Sequence, residues 1–228
     1  MALWIDAFRW GEQVLCGGGS AWDDPAQLGG HYSQIDRLLN ADIHELPIHA
    51  LFDSHGSGTA SQRAERVEAV APRAASDAVV TGLRAYASAG PPKPLCLALP
   101  GPTMLVGEVG DDLEDARYRV TLALSDLVRS LAGEKIAWLL IDEPIADDVK
   151  SLARQAKHYG WQTALIGAEG SALFDVSFSA KPTDDSGLAD PSFARFISFG
   201  PAFKGRRLVI DQNTSPEALA ASLVEMRG

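Results

Sequence analysis

Cysteine is scarce in this chain. Cys16 and Cys96 are the only two in 228 residues, and neither stands in a C-x-x-C or H-x-C spacing. That excludes a disulfide-stapled scaffold and any thiolate-rich metal centre. Both are expected to be reduced, half-buried thiols on strands. Long apolar runs are also missing. The longest, Ile136 to Ile141, has six residues, and a membrane helix needs about 20. Basic charge is in deficit, with 20 Lys+Arg against 30 Asp+Glu and a net charge of −10. Non-specific nucleic-acid binding needs Lys and Arg to displace counterions, so neither nucleic acid nor a membrane is expected as partner. Lys204, Arg206 and Arg207 form a local basic patch only. The start, MALWIDAFRWGE, carries Asp6 and no basic lead-in, so no secretory signal is read and a cytoplasmic location is expected.

What the chain does have is an ordinary globular composition, 46% hydrophobic and 22% charged. Its length fits one domain, 1–228. Short apolar runs alternate with helical patterns. Strands are expected at 12–16, 42–48, 95–99, 136–141, 162–166, 174–178, 196–199 and 207–210, with 2–7 as an extra leading strand. Helices are expected at 24–40, at 59–89 divided by Pro72, at 112–132, at 147–159 and after Ser215-Pro216-Glu217. The 112–132 pattern is the clearest. Leu113, Ala116, Val120, Leu124, Leu127, Val128 and Leu131 recur at helical spacing, and Gly133 follows as a stop. Strand–helix alternation implies parallel strands with right-handed crossovers. Eight units predict an α/β fold, a compact (β/α)8 TIM-type barrel. One crossover, 181–196, is too short for a full helix. An open doubly wound sheet is the alternative, although no G-x-G-x-x-G follows a strand.

In a barrel, reactive groups sit at the C-terminal ends of strands. Those ends offer Cys16, His44 with Glu45, Thr103, Asp142 with Glu143, Glu169, Lys181, and Asp211 with Gln212. Asp142-Glu143 is the most informative pair. Two acids directly follow six apolar residues, and a buried carboxylate needs a partner or a polar cavity. The plainer reading is that both cap the next turn. His44-Glu45-Leu46-Pro47-Ile48-His49 is not a zinc-protease motif, because the histidines are five apart and Pro47 forbids the helix. His49 and His55 read as loop residues. Gly56-Ser57-Gly58-Thr59 precedes a helix and reads as a loop rather than an anion cradle. Lys181 could form a Schiff base at a strand end, but Asp184 and Asp185 beside it favour a solvated lysine. His158 reads as structural, late in its helix. Trp4, Trp10, Trp22 and Trp138 read as packing.

Two segments resemble one superfamily. Leu99-Pro100-Gly101-Pro102-Thr103-Met104-Leu105 resembles the G-P-x-T-x-L segment of cobalamin-independent methionine synthases and uroporphyrinogen decarboxylase-like barrels, although Thr103 here follows Pro102 directly. Leu139-Leu140-Ile141-Asp142-Glu143-Pro144 resembles the D-E-P segment of the same synthases. The order and separation agree, and the resemblance spans roughly residues 94–180. It implies a barrel with its site at the strand ends. Asp142 would hold an amino-acid amine, and Glu45 would stand loosely for a second contact with the amino acid.

The departures are chemical. Where the family has His-x-Cys, this chain has Ala164-Leu165-Ile166-Gly167, and no cysteine follows Cys96. Zinc is therefore not expected. The resemblance implies a methyltransferase-related enzyme acting on a small amino-acid or organic-acid substrate. Its methyl donor would be a folate or a corrinoid, the latter brought by a partner protein. Asp142, Glu143 and His44 are the candidate catalytic residues, and Glu45, Thr103 and Asp211 the candidate substrate contacts. The alternatives are a metal-free lyase or decarboxylase and a non-catalytic binding subunit.

Overall fold

A computed structural model describes residues 2–52, 58–89, 93–108, 110–167, 172–178, 205–210 and 212–227. Its centre is a parallel sheet. The strands are β1 (Ala2–Asp6), β2 (Ile43–Pro47), β3 (Leu95–Pro100), β4 (Trp138–Glu143), β5 (Gln162–Gly167), β6 (Val176–Phe178) and β7 (Gly205–Val209). The helices are α1 (Phe8–Leu15), α2 (Leu28–Leu39), α3 (Ala60–Val70), α4 (Ser76–Ala89), α5 (Pro102–Val106), α6 (Leu113–Ser130), α7 (Lys150–His158) and α8 (Pro216–Arg227). The strand order is β6-β5-β4-β3-β2-β1-β7, so successive strands are neighbours until the last, which lies beyond β1. Trp4 pairs in register with both Ile43 and Arg207.

Alternation along each strand sorts the side chains onto two faces. Leu3, Ile5, Leu46, Leu97, Leu139, Ile141 and Leu165 join the helices in one large core. Trp4, Ile43, Cys96, Trp138, Leu140, Ile166, Val176 and Phe178 form a second cluster on the other face, to which no helix contributes. The sheet curls around that second cluster. Trp4 on β1 and Phe178 on β6 meet edge to face, with ring centroids 5.4 Å apart. In a flat sheet, five strand spacings would hold them roughly 24 Å apart. Trp138 packs on the same Trp4 at 5.1 Å.

The fold is thus α/β with parallel strands, as expected, but it is not a closed (β/α)8 barrel. It is an open, curled half-barrel of seven strands among the described residues, with β6 and β7 at its edges. The strand expected at 12–16 is not a strand. That segment is the second half of helix α1, which buries Phe8, Trp10 and Gly11 on one face. The leading run Ala2–Asp6 is a strand of the sheet in its own right. The run 196–199 and the short crossover before it lie outside the described residues. Cys16 accordingly follows a helix, not a strand, and is exposed. Pro72 does divide the long helical stretch. Ala71–Ala75 forms a π-type turn between α3 and α4, where the missing proline N–H costs the helix a bond. No helix among the described residues is long and apolar enough to cross a membrane.

Helix α2 carries a buried titratable group away from the sheet. His31 is 6% exposed, its Nδ1 lies 3.6 Å from Cys16 Sγ, and its Nε2 has no hydrogen-bond partner. Burial lowers its pKa from 6.5 to about 4. The folded state therefore holds the ring neutral. The stability this lends is present above the unfolded pKa and is lost as pH falls from about 6.5 to about 4. The loss is about 3 kcal/mol at 1.36 kcal/mol per unit. Urea titrations of wild type and His31→Gln at pH 7 and pH 4 check this. The wild-type advantage should shrink by about that amount at pH 4, and an unchanged difference refutes it.

Candidate functional site

The inner face of the sheet leaves a cavity of about 360 Å³ at the C-terminal ends of the strands. Pro47, Ala98, Pro100, Leu140, Ile166 and Val209 supply apolar wall, and Met104 and Leu105 of α5 border it. The polar groups are Asp6, Glu45, Asp142, Arg207 and His49. They come from the ends of β1, β2, β4 and β7 and from the turn after β2. Strand alternation aims Asp6, Glu45 and Asp142 inward, because each lies an even number of residues from an inner-face residue of its own strand, Trp4, Ile43 or Leu140, and Arg207 pairs in register with Trp4.

Glu45 and Arg207 form the floor. Arg207 donates from Nε to Oε1 at 2.5 Å and from Nη2 to Oε2 at 2.8 Å, and both residues are buried. The guanidinium also lies over the Phe178 ring at 5.8 Å and 4.0 Å from Asp6 Oδ2. Burial pushes the Glu45 carboxyl up to about 7, against the pull of Arg207 and with a push from Asp6. Burial works against the Arg207 charge as well, but Glu45 outweighs it and raises the pKa.

Asp142 is different. Its carboxylate is partly exposed to the cavity and makes no hydrogen bond and no ion pair among the described residues. Burial raises its pKa, while Arg207 and His49 draw it back. Its neighbour Glu143 is turned to the opposite face and is fully buried. There it accepts from the Thr103 N–H at 2.8 Å and the Ile145 N–H at 3.0 Å. It is a backbone staple between β4 and the start of α5. Gly101 permits it, because a Cβ there would stand 2.5 Å from Glu143 Oε2 and 2.7 Å from the Asp142 carbonyl oxygen. The acid pair is thus split by the pleat: Asp142 meets the cavity, and Glu143 caps the turn.

His44 also faces away from the cavity. It is 1% exposed, and its Nε2 lies 2.9 Å from Asp36 Oδ1 on α2. Asp36 takes a second contact from Lys93 Nζ at 2.6 Å. Burial lowers the His44 pKa and Asp36 partly restores it. The group ties α2 to β2, and His44, Asp36 and Lys93 do not line the cavity. Thr103 is buried at the start of α5, with its Oγ1 unpartnered, and does not line the cavity. Asp211 lies outside the described residues, as do Glu169, Lys181, His55, Gly56 and Ser57. Thr59 caps α3 in a reciprocal box with Gln62, which accounts for the Gly-Ser-rich approach locally.

Of the six candidate residues, the structure therefore brings Asp142 and Glu45 together. It sets His44, Glu143 and Thr103 behind the sheet. Asp6, His49 and Arg207 were missed as site residues. Asp6 carries the same signal as Asp142, an acid ending an apolar run, and Arg207 opens such a run. No group of three His, Cys, Asp or Glu residues among those described is placed to hold a metal ion. Comparison of the chain with protein-family models, curated proteins and solved structures gives no match.

Proposed function

We propose that the cavity binds a small organic molecule bearing a protonated amine and that Asp142 takes that amine, in an enzyme that works by carboxylate acid–base chemistry. The observation that supports this is the state of Asp142. Glu45 and Glu143 are already spent on internal donors, whereas Asp142 has none among the described residues and faces the cavity. A carboxylate partly withdrawn from water calls for a donor, and a ligand ammonium supplies one with charge. Glu45 is held by both Arg207 donors and shapes the floor, so proton transfer falls to Asp142, whose pKa burial raises. The apolar wall suits a short aliphatic body.

Thermal-shift titrations with butylamine, butanol and butyrate test the reading. Butylammonium should stabilise the wild type where the neutral and anionic probes do not. Asp142→Asn should weaken it at least tenfold, as loss of a charged hydrogen bond of about 1.5–3 kcal/mol implies. Equal response to the three probes, or an Asp142→Asn variant that binds as well, overturns it. Binding should also fade as pH drops through the raised Asp142 pKa, because the protonated acid no longer attracts the cation.

The methyl-transfer reading uses the same carboxylate, since the resemblance to methionine synthases puts an amino-acid amine on Asp142. It additionally requires a methyl donor. Transfer from a methyl-folate or a methyl-corrinoid to an amino-acid acceptor would favour it over a metal-free lyase or decarboxylase. Binding of amines with no turnover under any of these conditions would favour the binding-subunit reading.

A further inference from the structure

We infer that Arg207 gives the cavity a second ligand contact: its third nitrogen, Nη1, donates to a neutral carbonyl oxygen, so the ligand is an amine that also carries an amide or ester group. The inference rests on the amine reading above for the Asp142 end. The Arg207 side chain is only 7% exposed. Two of its nitrogens are spent on Glu45, Nε at 2.5 Å and Nη2 at 2.8 Å. Nη1 makes no hydrogen bond among the described residues. Nor is it sealed off, for it is not one of the buried nitrogens left without a partner. The small exposure that Arg207 keeps therefore includes Nη1, and the space it opens on is the cavity that Arg207 lines.

A guanidinium only donates, so a free Nη1 calls for an acceptor. It is also held ready. The group is planar, and anchoring two nitrogens on Glu45 fixes where the third points. Phe178 lies against the guanidinium at 5.8 Å and holds that plane. A ligand oxygen therefore meets a donor already ordered, at little entropic cost. The surrounding charge decides which oxygen. Asp6, Glu45 and Asp142 line the cavity against Arg207 and His49. Glu45 already neutralises the guanidinium, and Asp6 Oδ2 lies 4.0 Å from its Nη2. A ligand carboxylate would be a fourth acid in this space, and even a charged His49 leaves the acids in excess. A neutral carbonyl brings lone pairs without that repulsion.

The test measures dissociation constants by ligand-observed NMR at pH 8. The probes carry an ammonium or a hydroxyl at one end. The other end is a primary amide, a carboxylate or an isopropyl group, which share one shape. Spacers of two to five methylenes cover the span. The best amide should bind about tenfold tighter than its isopropyl match, as a hydrogen bond to a charged group implies. The carboxylate should gain nothing. Arg207→Met alone would strand Glu45, so two other variants are used. Arg207→Lys keeps a cation for Glu45, and Glu45→Leu with Arg207→Met removes both members; urea curves verify that each folds. In both the amide advantage should vanish. In Asp142→Asn it should persist while every ammonium probe weakens. An amide no better than isopropyl in wild type, an advantage that survives in the folded Arg207 variants, or a carboxylate as good as the amide overturns the inference. If ammonium has no advantage over hydroxyl, the amine reading fails, and the hydroxyl probes still decide the role of Arg207. Binding by no probe overturns both.

Discussion

Arg207→Met should cost about 3–5 kcal/mol of folding stability, the loss expected when one member of a buried ion pair is removed. The mutant strips Glu45 of both guanidinium donors at 1% exposure. Asp6, another acid acting on Glu45, makes matters worse. Such a carboxyl escapes by taking a proton, so the defect should be largest at alkaline pH and ease in acid. Glu45→Leu combined with Arg207→Met should recover most of the loss, because neither member then needs a partner. Urea unfolding of the singles and the double, as a mutant cycle at pH 8, measures this. A single-mutant loss below about 1 kcal/mol would place the pair in water-like surroundings, where exposed pairs fall, and would count against a buried floor.

Two adjacent glycines in α2 should respond with opposite signs. A Cβ on Gly29 would stand 2.2 Å from the Ala85 carbonyl oxygen and 2.7 Å from its carbon, both backbone atoms of α4. No rotamer relieves that contact, so the helices must part. Overpacking of this kind costs about 1–3 kcal/mol and occasionally more. Here the upper end is expected, because α2 also carries Tyr32, whose hydroxyl donates to the Glu45 carbonyl, and Asp36, which holds His44. Gly30 has nothing within 4 Å of the same added atom. Gly30→Ala should stabilise by about 0.5–1 kcal/mol, through helix propensity alone. Matched urea curves for the two variants check the contrast. A neutral Gly29→Ala would mean that α2 and α4 are not held at this distance.

Periodicity and punctuation made most elements readable. The six-residue run before Asp142 could be little other than an inner strand, and Pro72 breaks its helix where it stands, while α6 ends at Ser130, just short of Gly133. What periodicity missed was 12–16. Glu-Gln-Val-Leu-Cys is too short to separate a strand from the tail of an amphipathic helix, and its partners Phe8 and Trp10 lie just before it. Exchanging 12–16 for 2–6 leaves the expected count at eight, with 196–199 outside the described residues; what departs from a barrel is the open ladder, with β6 and β7 at its edges. The site was half legible for a related reason. An acid after an apolar run marks a strand end, and so Asp142 stood out. Which of two consecutive acids faces inward depends on register against Trp138 and Leu140, which only the paired sheet fixes. Glu45 and His44 pose the same problem two strands earlier. Arg207 was harder still. Its meaning comes from Glu45, 162 positions away, and no local pattern joins them.

The pairing of β7 with β1 also sets an order of events for the growing chain. Ala2 faces Gly205 and Asp6 faces Val209 in the ladder. A ribosome must therefore release nearly the whole sequence before the first strand gains its second neighbour. Strands β1 to β4 can assemble earlier with their helices, since their contacts are sequential. Through that interval Glu45 has no guanidinium to meet. Closing so long a loop is a late and slow step in a chain of high contact order. The nascent protein should accordingly linger as a partly formed sheet with an open edge at β1 and a wet, unpaired acid on its inner face. Such a species is where chaperones and proteases would act, and the arrival of Arg207 is what ends that exposure.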